Sequence, residues 1–228
     1  MNEPLRIGVL GAARITERAL VGPARTTGHR LVAVAARDRA RAGAFAAQHG
    51  VERVLDSYAA LVNDPEVEAV YNPLANSLHG PWNLAAIAAG KHVLTEKPFA
   101  SNAEEAAEVR DAAAAAGVVI MEGFHYLFHP VTRRLHELLA SGELGEPRHV
   151  ETELSIPAPP EGDPRWDSRP GRGMGARLPA RSHYENGCMQ SYALCGTVLL
   201  PGVRASVSSA SGQAGSTRLG GAWDEDSS

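Results

Sequence analysis

Along the first part of the chain, short apolar runs of strand length alternate with longer, Ala-rich stretches. Residues 5–10, 31–35, 69–71, 93–95 and 118–121 read as strands. Residues 14–27, 39–49, 57–63, 78–89 and 103–116 read as the helices between and after them. Ser101 followed by Glu104 predicts a capping box for the last of these, and Gly117 predicts its stop. Strand and helix in strict alternation imply right-handed βαβ units, so the fold class is α/β with a doubly wound parallel sheet of Rossmann type. Alanine on the helices suits close packing against that sheet. Beyond it, residues 130–140 predict a further helix, and residues 148–156 (RHVETELSI) alternate as one half-buried strand.

The pattern fades near Ile156. Of the first 156 residues 25 are Gly, Pro or Ser, against 28 of the last 72, which predicts a poorly ordered tail. The lone strand at 148–156 is therefore expected to lack partners. Net charge is −4, so no basic footprint points to nucleic acid or an anionic membrane surface. No apolar run reaches membrane-spanning length, and the N-terminus carries no basic leader, so a cytoplasmic protein is expected. Two cysteines, Cys188 and Cys195, are too few for a disulfide scaffold or a four-ligand zinc site, and no metal is expected. Of the 22 basic residues only Lys91 and Lys97 are lysine. Against such an arginine bias, a lysine that persists implies a need for an ammonium.

The first strand runs into Gly8-Val-Leu-Gly11-Ala12-Ala13-Arg14-Ile15-Thr16 and then a helix. Set against G-x-G-x-x-G/A, the three places are Gly11, Ala13 and Thr16. Gly11 permits the tight turn, a small residue at 13 admits a pyrophosphate, and the helix N-terminus adds positive potential. Two of three glycines are replaced, and the other reading is an ordinary tight βα turn. Its place in the first βα unit favours the cofactor reading, with Gly8, Gly11, Ala12, Ala13, Arg14 and Ile15 as candidate contacts. After the second strand stands Ala35-Ala36-Arg37-Asp38-Arg39, where NAD enzymes usually place an acidic residue. Arg37 is placed to pair with a 2′-phosphate, and Asp38 suits a helix N-cap, so NADP is favoured, with NAD as the alternative.

Further motifs follow: Leu74-Ala75-Asn76-Ser-Leu-His79, then Ala89-Gly-Lys-His-Val-Leu-Thr-Glu96-Lys97-Pro98, then Glu122-Gly-Phe-His125-Tyr126-Leu127-Phe128-His129-Pro130. In order and spacing they resemble the Gfo/Idh/MocA family of oxidoreductases, over residues 5 to 156 and weakly to Asp167. The version in 122–130 looks most like the branch with dihydrodiol dehydrogenases and aldose oxidoreductases. The resemblance implies a nicotinamide-binding domain at 1–122 and, at 123–167, the start of an α+β substrate domain that is incomplete here. It implies hydride transfer between nicotinamide and a sugar, cyclitol or vicinal diol. Lys97 would lie beside the reacting oxygen, where an ammonium stabilises alkoxide character and relays a proton. The Lys97–Pro98 bond is expected to be cis. Leu74, Asn76, His79, Glu96 and Lys97 are the implied contacts on the nicotinamide side, although Asn76 and His79 could merely cap the next helix. His125 and His129 are read as packing or structural residues.

Three departures stand out: Ala75 for the usual Pro, Leu127 for the usual Arg, and a break after Asp163-Pro-Arg165-Trp166-Asp167. The segment expected next carries the family's second catalytic residue, and Tyr192 is the candidate for it in this chain. The atypical tail, 168–228, has the Ser/Gly/Arg/Pro enrichment of a shifted reading frame in GC-rich DNA. Three functions stay open: an NADP-dependent oxidoreductase on a sugar-like or diol substrate, a nucleotide-binding remnant without turnover, and a sensing module supported by fold analogy alone. Homo-oligomers in the family form through the C-terminal sheet, which leaves the oligomeric state open.

Overall fold

The computed structural model describes residues 3–145, together with the backbone of 149–155 and 204–210. They divide into two compact units that part between Phe124 and His125.

In the first unit β1 (Arg6–Leu10) leads into α1 (Arg14–Thr16), a π-helical turn (Glu17–Val21) and α2 (Gly22–Thr27). A single helix over 14–27 is thus corrected to three joined pieces. Pro23 has no N–H and its ring would crowd the carbonyl four residues back, and the widened turn immediately before it accommodates both effects. Next come β2 (Arg30–Ala35), α3 (Arg39–His49), β3 (Val54–Leu55) and α4 (Tyr58–Val62). The unit continues with β4 (Ala69–Asn72), a 3₁₀ turn at Asn76–Leu78, α5 (His79–Ala88), β5 (His92–Thr95), α6 (Ala103–Ala116) and β6 (Ile120–Glu122). The sheet order is β3-β2-β1-β4-β5-β6, every pair parallel. This is the doubly wound order in which strand succession reverses between β1 and β4, opening a crevice at their C-terminal ends.

Both faces are covered. Ile7 and Val9 of β1 join Leu20, Val21, Leu31, Val34, Phe45 and Tyr71 on one side. Leu10 joins Val32, Leu61, Val67, Val70, Ile87, Val93 and Val109 on the other. Gly8 belongs to this second face: a Cβ there would lie 2.8 Å from Leu61 Cδ2 and 3.1 Å from both Val67 γ-carbons. Its smallness therefore lets the residues after β3 close down on β1.

Caps set the helix ends. Asp38 accepts from the Ala40 and Arg41 amides, as expected of an N-cap. Gly117 closes α6 in the left-handed conformation. The start of α6 lies one residue later than expected: Asn102, not Ser101, is the N-cap, and Glu105, not Glu104, reaches back to the Ser101 amide at 2.6 Å. The Glu105 carboxyl lies over Gly80 of α5, in space that a Cβ at that position would occupy.

The second unit holds a 3₁₀ turn (His125–Phe128), α7 (Pro130–Ala140) and two strands, β7 (His149–Ser155) and β8 (Arg204–Ala210). His129 Nδ1 accepts from the Val131 amide and so caps α7, in line with its structural reading. The expectation that the strand at 148–156 stands alone is corrected: β7 and β8 pair in parallel over seven residues. The segment RASVSSA is rich in serine and carries only Val207 as a β-branched apolar residue, so composition disguises it. The rest of the tail, Tyr192 and Asp163–Asp167 lie outside the described residues.

Gly8→Ala forces a methyl into the Leu61–Val67 contact. It should destabilise the first unit by about 1–3 kcal/mol, seen as a lower midpoint in thermal or urea unfolding. An unchanged midpoint would mean that α4 and its flanking loop yield freely.

Candidate active site

Four strand ends meet at the crevice, and each brings one part of a site. The turn after β1 carries Gly11, whose φ of +83° favours glycine and whose N–H donates to Ala35 O at 2.6 Å. A Cβ there would come within 3.0 Å of the Leu74 side chain. Ala13 opens the helix in an extended conformation and, among the described residues, gives its first turn no side-chain cap. Arg14 and Ile15 are exposed beside it. Thr16, in the third fingerprint position, is fully buried, and its hydroxyl has no partner among the described residues.

The end of β2 supplies cations. The Asp38 carboxylate is committed to the α3 cap, while Arg37 is exposed and forms no hydrogen bond or ion pair among the described residues. The sequence pattern does not single out Arg41, yet its guanidinium donates to Ala12 O at 3.1 Å, bridging the start of α3 to the phosphate-binding turn. Helical i, i+4 spacing does not relate it to Arg37, which precedes the extended cap residue Asp38, so the sequence carried no signal for it.

The ends of β4 and β5 are tied by buried polar groups. Asn72 has no exposed surface; its amide nitrogen donates to His79 O at 3.2 Å and to Asn83 Oδ1 at 2.8 Å, and its backbone carbonyl accepts the Glu96 N–H at 2.9 Å. Asn76 is buried at the start of the 3₁₀ turn. The His79 ring is enclosed, with Nδ1 2.6 Å from Pro98 O and Nε2 2.9 Å from Leu74 O. Burial pushes its pKa below the usual histidine value, outweighing the two carbonyls and the charges of Glu96 and Glu105, which favour the proton. A neutral ring donates through one nitrogen only, so one of these two contacts gains its proton only when the ring is charged.

Glu96 is buried and accepts a 2.8 Å hydrogen bond from the Tyr71 hydroxyl. Burial, then the Glu96 charge, pushes the Tyr71 phenol far above its usual range. Lys97 is half-buried, precedes a cis peptide bond to Pro98, and forms no hydrogen bond or ion pair among the described residues. Glu122, opposite Thr95 at the end of β6, has its pKa raised chiefly by burial and also by Glu96, while the Phe99 amide and Lys97 favour its charged form. Two carboxylates thus flank the Lys97 turn. The other lysine is structural, since Lys91 Nζ donates to Asp64 O at 2.9 Å and Val67 O at 2.7 Å.

The structure therefore brings Gly11, Ala12, Ala13, Arg14, Ile15, Arg37, Leu74, Asn76, His79, Glu96 and Lys97 to the strand ends. It places Gly8 inside β1, packed on Leu61 and Val67. No group of three metal-ligating side chains occurs among the described residues.

Residues 5–124, over half of the chain, match the Gfo/Idh/MocA model, described as an oxidoreductase family with an NAD-binding Rossmann fold. The chain belongs to this family. It is 42% identical over 159 residues to D-xylose 1-dehydrogenase (NADP(+)) 2 of Haloferax volcanii, which covers 70% of this chain and 49% of that protein. It is 40% identical to a dTDP-3,4-didehydro-2,6-dideoxy-alpha-D-glucose 3-reductase of Streptomyces antibioticus, covering 76% and 52%. Among solved structures, KijD10, a 3-ketoreductase from Actinomadura kijaniata in complex with NADP and TDP-benzene, superposes with a TM-score of 0.66 at 35% identity, covering 76% and 52%. This Gfo/Idh/MocA chain spans about half the length of the curated relatives it matches.

Burial of His79 gives a testable pH dependence. Its folded pKa lies below the unfolded value of about 6.5, so the unfolded chain binds the proton more readily. The stability held by neutral His79 is whole above about pH 6.5 and falls as pH drops below it. Thermal midpoints measured from pH 8 to pH 5 should fall less steeply in His79→Gln than in the parent. Parallel curves would remove His79 from the acid response.

Proposed function

We propose that this chain binds NADP(H) and moves hydride between it and a carbinol or carbonyl carbon of a sugar, cyclitol or vicinal diol. The observation that carries the reading is the joining of a dinucleotide cradle to the Glu96-Lys97-Pro98 turn at one switch point.

The cradle fits a dinucleotide. Gly11 leaves open the space a Cβ would fill against Leu74, and the first helical turn keeps its amides free of side-chain caps. Arg37 and Arg41 are the cations offered to a 2′-phosphate, and the adjoining carboxylate, Asp38, is committed to its helix cap. NADP(H), when bound, supplies or accepts the hydride. The protein's part is to orient and to stabilise charge. Asn76 and Leu74 border the nicotinamide side, and the Lys97 ammonium sits where an alkoxide develops as hydride leaves or a carbonyl polarises as it arrives. In the reductive direction the ammonium donates a proton to the substrate oxygen, and in the oxidative direction the neutral amine of Lys97 accepts the hydroxyl proton as hydride leaves. The sugar-like substrate class is drawn from the xylose dehydrogenase and ketoreductase relatives. Tyr192 is proposed as the second proton-handling group.

Nicotinamide fluorescence titration, followed by a screen of sugars and polyols, tests the reading. Failure to bind either NADPH or NADH would overturn it. Binding without turnover on any polyol or sugar would favour a nucleotide-binding member that lacks catalysis.

Two substitutions probe the parts separately. Charge-assisted pairing to a phosphate contributes about 1.5–3 kcal/mol, so Arg37→Ala with Ala36→Asp should shift preference from NADP(H) towards NAD(H). Equal or tighter NAD(H) binding by the unaltered chain would refute the assignment. Lys97→Met should lower kcat by about 100-fold or more while NADPH affinity stays nearly intact. Full activity in that variant would exclude Lys97 from the chemistry.

A further inference from the structure

Tyr71 is the largest side chain of the first unit with almost no exposure, yet it ends in a hydroxyl, and the reaction as derived makes no use of it. It stands on β4, opposite Leu94 of β5, and reaches the Glu96 carboxylate just beyond the end of that strand. Glu96 has few ways to satisfy its charge. Its Oε1 takes the Tyr71 hydroxyl at 2.8 Å, and a Cβ at Gly123 would lie 3.4 Å from the same oxygen. A buried carboxylate deprived of its donor is costly, and a hydroxyl-to-carboxylate bond is one of the stronger hydrogen bonds available. The Glu96 backbone is pinned as well, by its N–H to Asn72 O. Lys97 is the next residue, followed by Pro98, whose carbonyl contacts His79.

We propose that Tyr71 is a positioning residue for Lys97: its buried hydroxyl fixes the Glu96 carboxylate, and through the Glu96–Lys97 peptide it determines where the Lys97 ammonium points. The groups that interact with Glu96 are Tyr71 from β4, Glu122 from β6 and His79 from α5, and Lys97 follows it in the same turn. Of these, Tyr71 is the neutral donor bonded to the carboxylate among the described residues, and it sets position without adding charge. The proposal rests on Lys97 as the group that meets the reacting oxygen.

The chain's two lysines allow a test that needs no turnover. Reductive methylation with ¹³C-formaldehyde labels Lys91 and Lys97, the α-amino group apart, and Lys97→Arg assigns the signals. Lys91 is held by two carbonyls away from Tyr71 and serves as the internal control. In Tyr71→Phe the Lys97 resonance should narrow and move towards its position in the unfolded chain, while Lys91 stays in place. In Glu96→Gln, whose amide oxygen still accepts the Tyr71 hydroxyl, the Lys97 line should keep its native width; in Glu96→Ala it should sharpen as in Tyr71→Phe. Where the oxidoreductase assay gives turnover, Tyr71→Phe should lower kcat roughly tenfold or more with NADPH affinity within twofold. An unchanged Lys97 line in Tyr71→Phe overturns the proposal. So does equal sharpening in the Gln and Ala variants, which would assign the effect to charge. If Tyr71→Phe disturbs Lys91 too, the contrast between Gln and Ala at position 96 decides. Absence of turnover bears on the proposed function alone, and the spectra still decide the role of Tyr71.

Discussion

The crevice depends on satisfying one side-chain amide that has no access to water. Asn72 ends β4 with zero exposure, so its donors and acceptors must find partners within the protein. They find them in the loop after β4, in α5 and in the residue after β5: Leu74 N, His79 O, Asn83 Oδ1 and Glu96 N. Each bond fixes a segment that would otherwise be a surface loop. The low-dielectric setting strengthens these bonds and makes each loss expensive, so the strand ends behave as one unit. A site built on such a network is pre-organised before any ligand arrives, which is the condition under which fixed charges assist a reaction.

The same burial that holds the network creates its electrical tension. Glu96 and Glu122 approach one another at the ends of neighbouring strands, and Glu122 is driven towards its neutral form while Glu96 keeps the Tyr71 donor. Lys97 follows Glu96 in the same turn; its positive charge favours the ionised form of Glu122, and it has no ion-pair partner among the described residues. An ammonium left unpaired in a half-buried crevice is available to an incoming oxygen, whereas one locked in a salt bridge would have to break it first. Lys91, bound to two carbonyls, is not available in this sense.

What the sequence disclosed, it disclosed through patterns that repeat locally. Five strands, the helices among them except for the π-helical break within 14–27, the Gly11 turn, the Asp38 cap and the Gly117 stop follow from period, capping chemistry and backbone freedom. The two-residue β3 is too short to show a period. The α6 cap is ambiguous because Ser101-Asn-Ala-Glu104-Glu105 offers the same capping pattern in two registers. Gly80 decides between them: only a residue without a side chain leaves room for the Glu105 carboxyl, and that contact comes from another helix. Tyr71 was legible as a strand residue, Asn72 lay one residue past the expected strand, and both were illegible as parts of a site, since Glu96, His79 and Asn83 lie 7 to 25 residues away from them. β8 was hidden for the opposite reason, its serines resembling the turn-formers around it.

The arginine bias supports a last step about the lysines. Scarcity of lysine suggests that the two survivors are needed as ammonium groups, and it leaves open what for. Lys91 answers for itself. Two carbonyl oxygens, 2.9 Å and 2.7 Å from one nitrogen, converge on a point that a compact, three-donor cation matches and a planar guanidinium fork does not. Need for an ammonium is therefore not evidence of catalysis, because a purely structural lysine meets the same criterion. Lys97 differs in what surrounds it: among the described residues no carbonyl pair receives its protons, two carboxylates stand near, and its main chain is held on both sides, by Asn72 O at Glu96 and by His79 at Pro98. A rigid backbone carrying an unspent charge at the mouth of a dinucleotide crevice is what a hydride-transfer site requires. That arrangement, more than the rarity of lysine, makes the case for Lys97.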